Sequence, residues 1–104
     1  NPYWWAAQIE QESHYNARAI GPSGERGLAQ ISRRTAPLLG LQWQQAFDPE
    51  ANLAAGAQYM AQHVANFGGN INAALLRYNG GGEAYPRLVA SRLIPQAKEY
   101  PNGT

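Results

Sequence analysis

The stretch "DPEANLAAGAQYMAQHVANFGG", residues 48–69, constrains the fold more than any other in the chain. Asp48 can cap a helix, Pro49 suits its first position, and Glu50 suits the positive end of its dipole. Leu53, Ala57, Met60, Val64 and Phe67 then recur at helical spacing, and Gly68-Gly69 stops the run. An apolar stripe of that length must be buried against other elements, and the neighbouring sequence offers more helices. Residues 3–14 read as one, with Pro2 where proline often opens a first turn. "NINAALLRYNGGG" reads as another, with Asn70 as cap, Ile71, Ala74, Leu75 and Tyr78 on one face, and Gly80 to Gly82 ending it. A short helix over about residues 33–39 follows Ser32 as cap and ends at Gly40. The last runs from about Ala84, with Leu88, Val89 and Leu93 inward, until Pro95 breaks it.

Residues 16–31 behave differently. Gly21-Pro22, Ser23-Gly24 and Gly27 punctuate turns, so an ordered loop or short strands are expected there. The reading is a mainly α chain, one domain over residues 1–104, with one irregular or β excursion around residues 16–31. Because the chain opens on Asn1, a processed product or an excised domain is expected rather than an intact gene product.

Composition then limits the function classes. Hydrophobic residues make up 44% and charged residues 14%, which fits a globular chain. Net charge is +1 and no basic run extends beyond Arg33-Arg34, so nucleic acid is not an expected partner. There is no Cys, hence no disulfide framework or thiolate chemistry. No apolar run reaches the length of a membrane span. His14 and His63 show no ligand spacing with acids or each other, so neither metal nor cofactor is expected. Three Trp and six Tyr are many for 104 residues; such rings line sugar or peptide grooves, and they also fill ordinary cores. Trp4, Trp5 and Trp43 read first as packing residues, with one of them open as a groove ring.

Helical geometry separates two carboxylates. With Glu12 at 0°, Trp5 falls near about 20°, Gln8 near about −40° and Ile9 near about 60°, while Glu10 lies about 160° away. Glu12 therefore shares the apolar face, and Glu10 is expected to face water. A carboxylate on an apolar face is desolvated, which raises its pKa and suits it to general-acid work of the kind glycosidic cleavage needs. The alternative is a structural Glu that bonds loop amides or pairs with Arg18 or Arg26.

Four motifs in order bear on that choice: Glu12-Ser13-x-x-Asn16, Gly24-x-x-Gly27-Leu28-x-Gln30, the Asp-Pro stretch ending in Gly56-x-x-Tyr59-Met60, and Tyr78-Asn79-x-Gly81. Together they resemble the catalytic domain of the soluble lytic transglycosylase family, which is related to goose-type lysozyme, over roughly residues 7 to 90. The resemblance implies a lysozyme-like fold and a lyase acting on peptidoglycan. It implies that Glu12 serves as acid and then base on the β-1,4 bond between N-acetylmuramic acid and N-acetylglucosamine, leaving a 1,6-anhydro ring. It further implies substrate-binding roles for Ser13, Gln30, Tyr78 and Asn79, each with a local alternative. Ser13 could simply end its helix, Gln30 could brace a loop, Tyr78 could pack in the core, and Asn79 could fix the backbone. Gly27, Gly80 and Gly81 are expected to serve backbone geometry. Peptidoglycan strands would be the partner, in the periplasm, the cell envelope, or a larger secretion or phage assembly.

The sequence departs from the family pattern at Ala29, where Met is usual, at Arg77, where Ala is usual, and at Glu25, often Ala. Arg77 could meet a carboxylate of the peptide stem. A second carboxylate roughly 6.5–9.5 Å from the first would make an inverting hydrolase. Glu25 is the candidate for that role and Glu83 the weaker one; otherwise Glu25 is a turn residue beside Arg26. A hydrolytic muramidase and a non-catalytic peptidoglycan-binding module thus stand as the rival readings.

Overall fold

The computed structural model describes residues 2–80, 82 and 84–93, and its helices begin and end where local chemistry dictates. Four α-helices are present: α1 (Pro2–Ser13), α2 (Pro49–Asn66), α3 (Ile71–Tyr78) and α4 (Tyr85–Ala90). Two short 3₁₀ helices, Ala36–Leu39 and Trp43–Gln45, lie between α1 and α2. Glu83, Gly81 and Pro95, to which the sequence assigned roles, lie outside the described residues.

Both side-chain caps expected of Asp48 and Asn70 form. Asp48 Oδ2 accepts from the Ala51 amide at 2.8 Å, and Asn70 Oδ1 accepts from the Ala73 amide at 3.1 Å. Ser32 caps less than expected. Its hydroxyl accepts from Thr35 N at 3.1 Å, but the turn it opens leads only to the 3₁₀ helix Ala36–Leu39, which Gly40 ends in the left-handed region at φ 70°.

The chain forms two compact units, one of Asn1–Gln11 with Met60–Thr104, the other of Glu12–Tyr59. In the first unit Ala7, Leu75, Tyr85 and Val89 form a buried cluster, with Trp4, Met60, Ile71 and Leu93 packed on it. Burial of side chains such as Leu75 and Val89 stabilises by roughly 1.5–3 kcal/mol each. Tyr85, not Leu88, is the inward residue near the start of α4; Leu88 is 45% exposed. Glu10, expected to face water, is instead partly buried and paired with Arg92, whose Nε also donates to Gln11 Oε1 at 2.9 Å. The guanidinium comes from 82 residues along the chain, a distance at which helical periodicity has nothing to say.

In the second unit Leu28, Ile31, Leu39 and Leu41 are buried, as are the alanines Ala29, Ala36, Ala46 and Ala55. The excursion at residues 16–31 contains no strand among the described residues. Arg26 pairs in isolated antiparallel bridges with both Ile20 and Ile31, its amide donating to Ile31 O at 3.0 Å and its carbonyl accepting from Ile31 N at 3.1 Å. Gly27 N closes the loop onto Ala19 O at 2.9 Å.

The buried face of α2 is offset from the expected stripe. Asn52, Ala55, Gly56 and His63 are buried, whereas Ala57 and Phe67 are exposed. Asn52 explains the offset. It has no solvent exposure, its Oδ1 accepts from Ala29 N at 2.7 Å, and its Nδ2 donates to Arg26 O at 2.9 Å and Ala46 O at 2.8 Å. With its hydrogen-bonding groups matched, the carboxamide can be buried at little cost.

Candidate active site

Glu12 and Ser13 are the last two residues of α1, Glu12 partly buried and Ser13 only 5% exposed. The helix stops abruptly after them because His14 and Tyr15 both adopt left-handed backbone, at φ 52° and 62°. Ser13 O then accepts from Asn16 N at 3.0 Å, and Asn16 Oδ1 accepts from Arg18 N at 2.9 Å, completing the reversal. Two consecutive non-glycine residues in this region are costly, about 1–2 kcal/mol each. Among the described residues a third such residue exists, Gln30 at φ 54°. All three therefore fall in the two motifs singled out around Glu12 and Gln30. Backbone strain of this kind gathers at functional sites, where surrounding contacts hold it in place.

Gln30 holds its loop and presents one free end of its amide group. Its Nε2 donates to Ala19 O at 3.1 Å and to Gly27 O at 2.9 Å, so both amide protons are used inside the loop. Its Oε1 and Glu25 Oε1 converge over Gly21, where any Cβ would collide with both. Glu25 Oε1 also accepts from Ser23 N at 3.0 Å, which makes this carboxylate part of the Gly21–Glu25 turn. Arg26 does not join it. Its guanidinium stacks on Trp43 at 4.3 Å and Phe47 at 4.9 Å and donates to Trp43 O at 3.1 Å.

The same loop contains the position that admits only glycine. Gly27 has φ 81°, and a Cβ there would strike Ala46 O and Asn52 Nδ2. Asn52 thus bolts the segment Arg26–Ala29, immediately before Gln30, to α2. Sequence reasoning placed Asn52 in a motif but gave it no role; a polar residue four positions after Asp48, beside an apolar stripe, was the available signal.

Tyr78 and Asn79 belong to the other unit. Tyr78 is the last residue of α3 and partly buried. The His63 ring meets it edge-on, with centroids 6.3 Å apart and planes at 90°. His63 is 7% exposed, and its pKa lies below the usual 6.5 because burial disfavours the imidazolium and Arg77 repels it. Asn79 caps α3, its amide donating to Leu75 O at 3.1 Å, and its side chain stands against the Gly82 backbone. Its contacts are those of a residue that shapes the helix end. Among the described residues no three His, Cys, Asp or Glu side chains gather as a metal site would require, and no helix is long and apolar enough to cross a membrane.

Residues 1–100 match the family model of the transglycosylase SLT domain. The chain belongs to that family. It is 34% identical over 100 residues to the membrane-bound lytic murein transglycosylase F of Pectobacterium atrosepticum, covering 90% of this chain and 20% of that protein. It is 35% identical over 81 residues to a transglycosylase of Enterobacteria phage PRD1, covering 78% of this chain and 29% of the phage protein. Its fold is that of the 70 kDa soluble lytic transglycosylase from Escherichia coli, whose crystal structure superposes with a TM-score of 0.71 at 26% identity, over 90% of this chain and 16% of the other. This SLT-family chain therefore spans less than a third of each of these relatives. The lysozyme-like, mainly helical fold expected from the sequence is the one observed.

Proposed function

We propose that this SLT domain is a peptidoglycan lytic transglycosylase, cleaving the β-1,4 bond between N-acetylmuramic acid and N-acetylglucosamine with formation of a 1,6-anhydro ring. The observation that carries the reading is Glu12 itself: a partly buried carboxyl at the end of α1, fixed by a strained left-handed reversal, in a chain matched to the SLT family over residues 1–100.

Glu12 donates its proton to the glycosidic oxygen as the bond to the muramic C1 breaks, so the departing N-acetylglucosamine leaves as a neutral alcohol. The substrate's acetamide shares the positive charge at C1. Glu12, now a carboxylate, takes the proton of the muramic C6 hydroxyl as that oxygen bonds C1. No water is consumed, and one carboxyl serves both steps because the attacking oxygen belongs to the same sugar. Ser13 acts on Glu12 or on the substrate's acetamide, and Gln30, Tyr78 and Asn79 serve substrate binding as the family resemblance implies. The bond from Ser23 N to Glu25 Oε1 favours this route over hydrolysis, because it gives Glu25 a turn to hold. We assign the domain to a bacterial envelope or a virion, acting within a larger protein or assembly.

Solubilisation of purified peptidoglycan tests the assignment. Wild type should release muropeptides and Glu12→Gln should release them at least about 100-fold more slowly, the usual loss when a general acid is removed. Equal rates would remove Glu12 from the reaction.

A further inference from the structure

In the second unit two acceptor oxygens converge on one point above Gly21. A single Cβ built on Gly21 would collide with both Glu25 Oε1 and Gln30 Oε1. Gly21 is not among the glycines with left-handed backbone, so its lack of a side chain serves space rather than conformation. Gly21, Glu25 and Gln30 are each only partly buried, which leaves the point open to a ligand.

The orientation of the Gln30 amide is fixed. Its Nε2 donates to Ala19 O at 3.1 Å and to Gly27 O at 2.9 Å, and a flipped amide would set its oxygen against both carbonyls. Oε1 is therefore held as an acceptor, and among the described residues nothing donates to it. Glu25 Oε1 takes the Ser23 amide proton at 3.0 Å, which leaves a second lone pair on that oxygen and both on Oε2. Among the described residues Glu25 forms no ion pair, and the Arg26 guanidinium is committed to Trp43 and Phe47.

Two acceptors that share one carboxylate charge suit a cation with several protons. A hydroxyl or a secondary amide offers one proton, whereas a primary ammonium offers three and gains from the charge. A calcium ion takes six to eight oxygen ligands, more than this pair supplies. We propose that Glu25 and Gln30 bind a primary ammonium group, the free amine at C2 of a de-N-acetylated glucosamine in the glycan strand. The choice of sugar rests on the proposed function. In that reaction the muramic acetamide shares the charge at C1 and must be kept, so the free amine belongs to the glucosamine. Glu25 stands at a position where the sequence departs from the family pattern. A preference for partly de-N-acetylated strands would thus set this chain apart from relatives with Ala there.

The test is an NMR titration of the ¹⁵N-labelled protein at neutral pH with methyl β-D-glucosaminide and with its N-acetyl form. A third probe, Nα-acetyl-L-lysine amide, carries the same ammonium on a flexible stem. The glucosaminide should shift the Gln30 side-chain N–H signals and the Ser23 amide signal. The N-acetyl sugar should bind about tenfold or more weakly, as expected for loss of one charge-assisted contact. The lysine amide should also bind about tenfold more weakly, since immobilising its stem costs rotamer freedom. Glu25→Gln keeps an acceptor for the Ser23 amide but removes the charge. It should weaken the glucosaminide to the level of the N-acetyl sugar, and its amide spectrum reports that the fold is kept. Unmoved signals, equal binding of the two sugars, or unchanged binding by Glu25→Gln would each overturn the ammonium site. Binding of the lysine amide as tight as that of the glucosaminide would overturn glucosamine as its source. The titration needs no catalysis. Amine-selective binding with no peptidoglycan cleavage would therefore sink the transglycosylase assignment while leaving the ammonium site intact, and cleavage with no such binding would do the reverse.

Discussion

The Asn52 side-chain oxygen accepts the Ala29 backbone proton at 2.7 Å, tying α2 to a loop 23 residues earlier. Its amide nitrogen meanwhile serves the carbonyls of Arg26 and Ala46. Replacing Asn52 by Ala takes the side-chain partner from the Ala29 N–H and the Ala46 carbonyl, while the Arg26 carbonyl keeps the Ile31 amide, and the cost should be about 2–3 kcal/mol. Asn52→Asp should fare no better, because an oxygen would then face two carbonyl oxygens. Urea unfolding of both variants against wild type measures this; a loss below about 1 kcal/mol would mean the loop does not depend on the carboxamide.

Gly27 and Gly24 form a matched pair for testing close approach. Both have left-handed backbone, at φ 81° and 84°, but a Cβ at Gly24 meets nothing within 4 Å. Gly24→Ala should therefore cost only the conformational term, about 1 kcal/mol. Gly27→Ala adds overpacking against Ala46 O and Asn52, for a total of about 2–4 kcal/mol. Equal losses in thermal or urea unfolding would show that the Asn52 contact yields freely.

His63 should make stability depend on pH in one direction. Its folded pKa is lowered, first by burial and then by Arg77, so the unfolded chain binds the proton more tightly. The stabilising contribution is complete above the unfolded value near 6.5 and is lost as pH falls through the folded value. His63→Phe keeps an edge-on ring against Tyr78 but cannot titrate. Below about pH 6.5 the wild-type unfolding midpoint should fall relative to this variant, and parallel curves would contradict the assignment.

Local signals were legible in the sequence and long-range ones were not. Asp48, Pro49 and Asn70 could be read as helix starts because capping acts over three or four residues. The buried face of α2 was misjudged because counting apolar residues assigns Asn52 to solvent. In the fold its polar atoms are matched by a loop that only tertiary structure brings near. Helical angle set Glu10 apart from Glu12 and assigned it to water, but both are partly buried in the fold, because Glu10's partner Arg92 lies outside any local pattern. Glu12 and Gln30 stood out through spacing and motif, whereas the left-handed backbone at His14, Tyr15 and Gln30 carries no residue signature, since none is glycine. Trp43 was open as a groove ring; that Arg26 would hold it could not be read from residues 17 positions apart.

The identity of the cleaved chain ends tests the central claim most directly. Peptidoglycan digested by the wild-type protein should yield muramic ends lighter than their reducing counterparts by the mass of one water, and these should be missing from the Glu12→Gln digest. Reducing muramic ends from the wild-type protein would contradict the account, because the C6 hydroxyl would then have lost to water as the nucleophile.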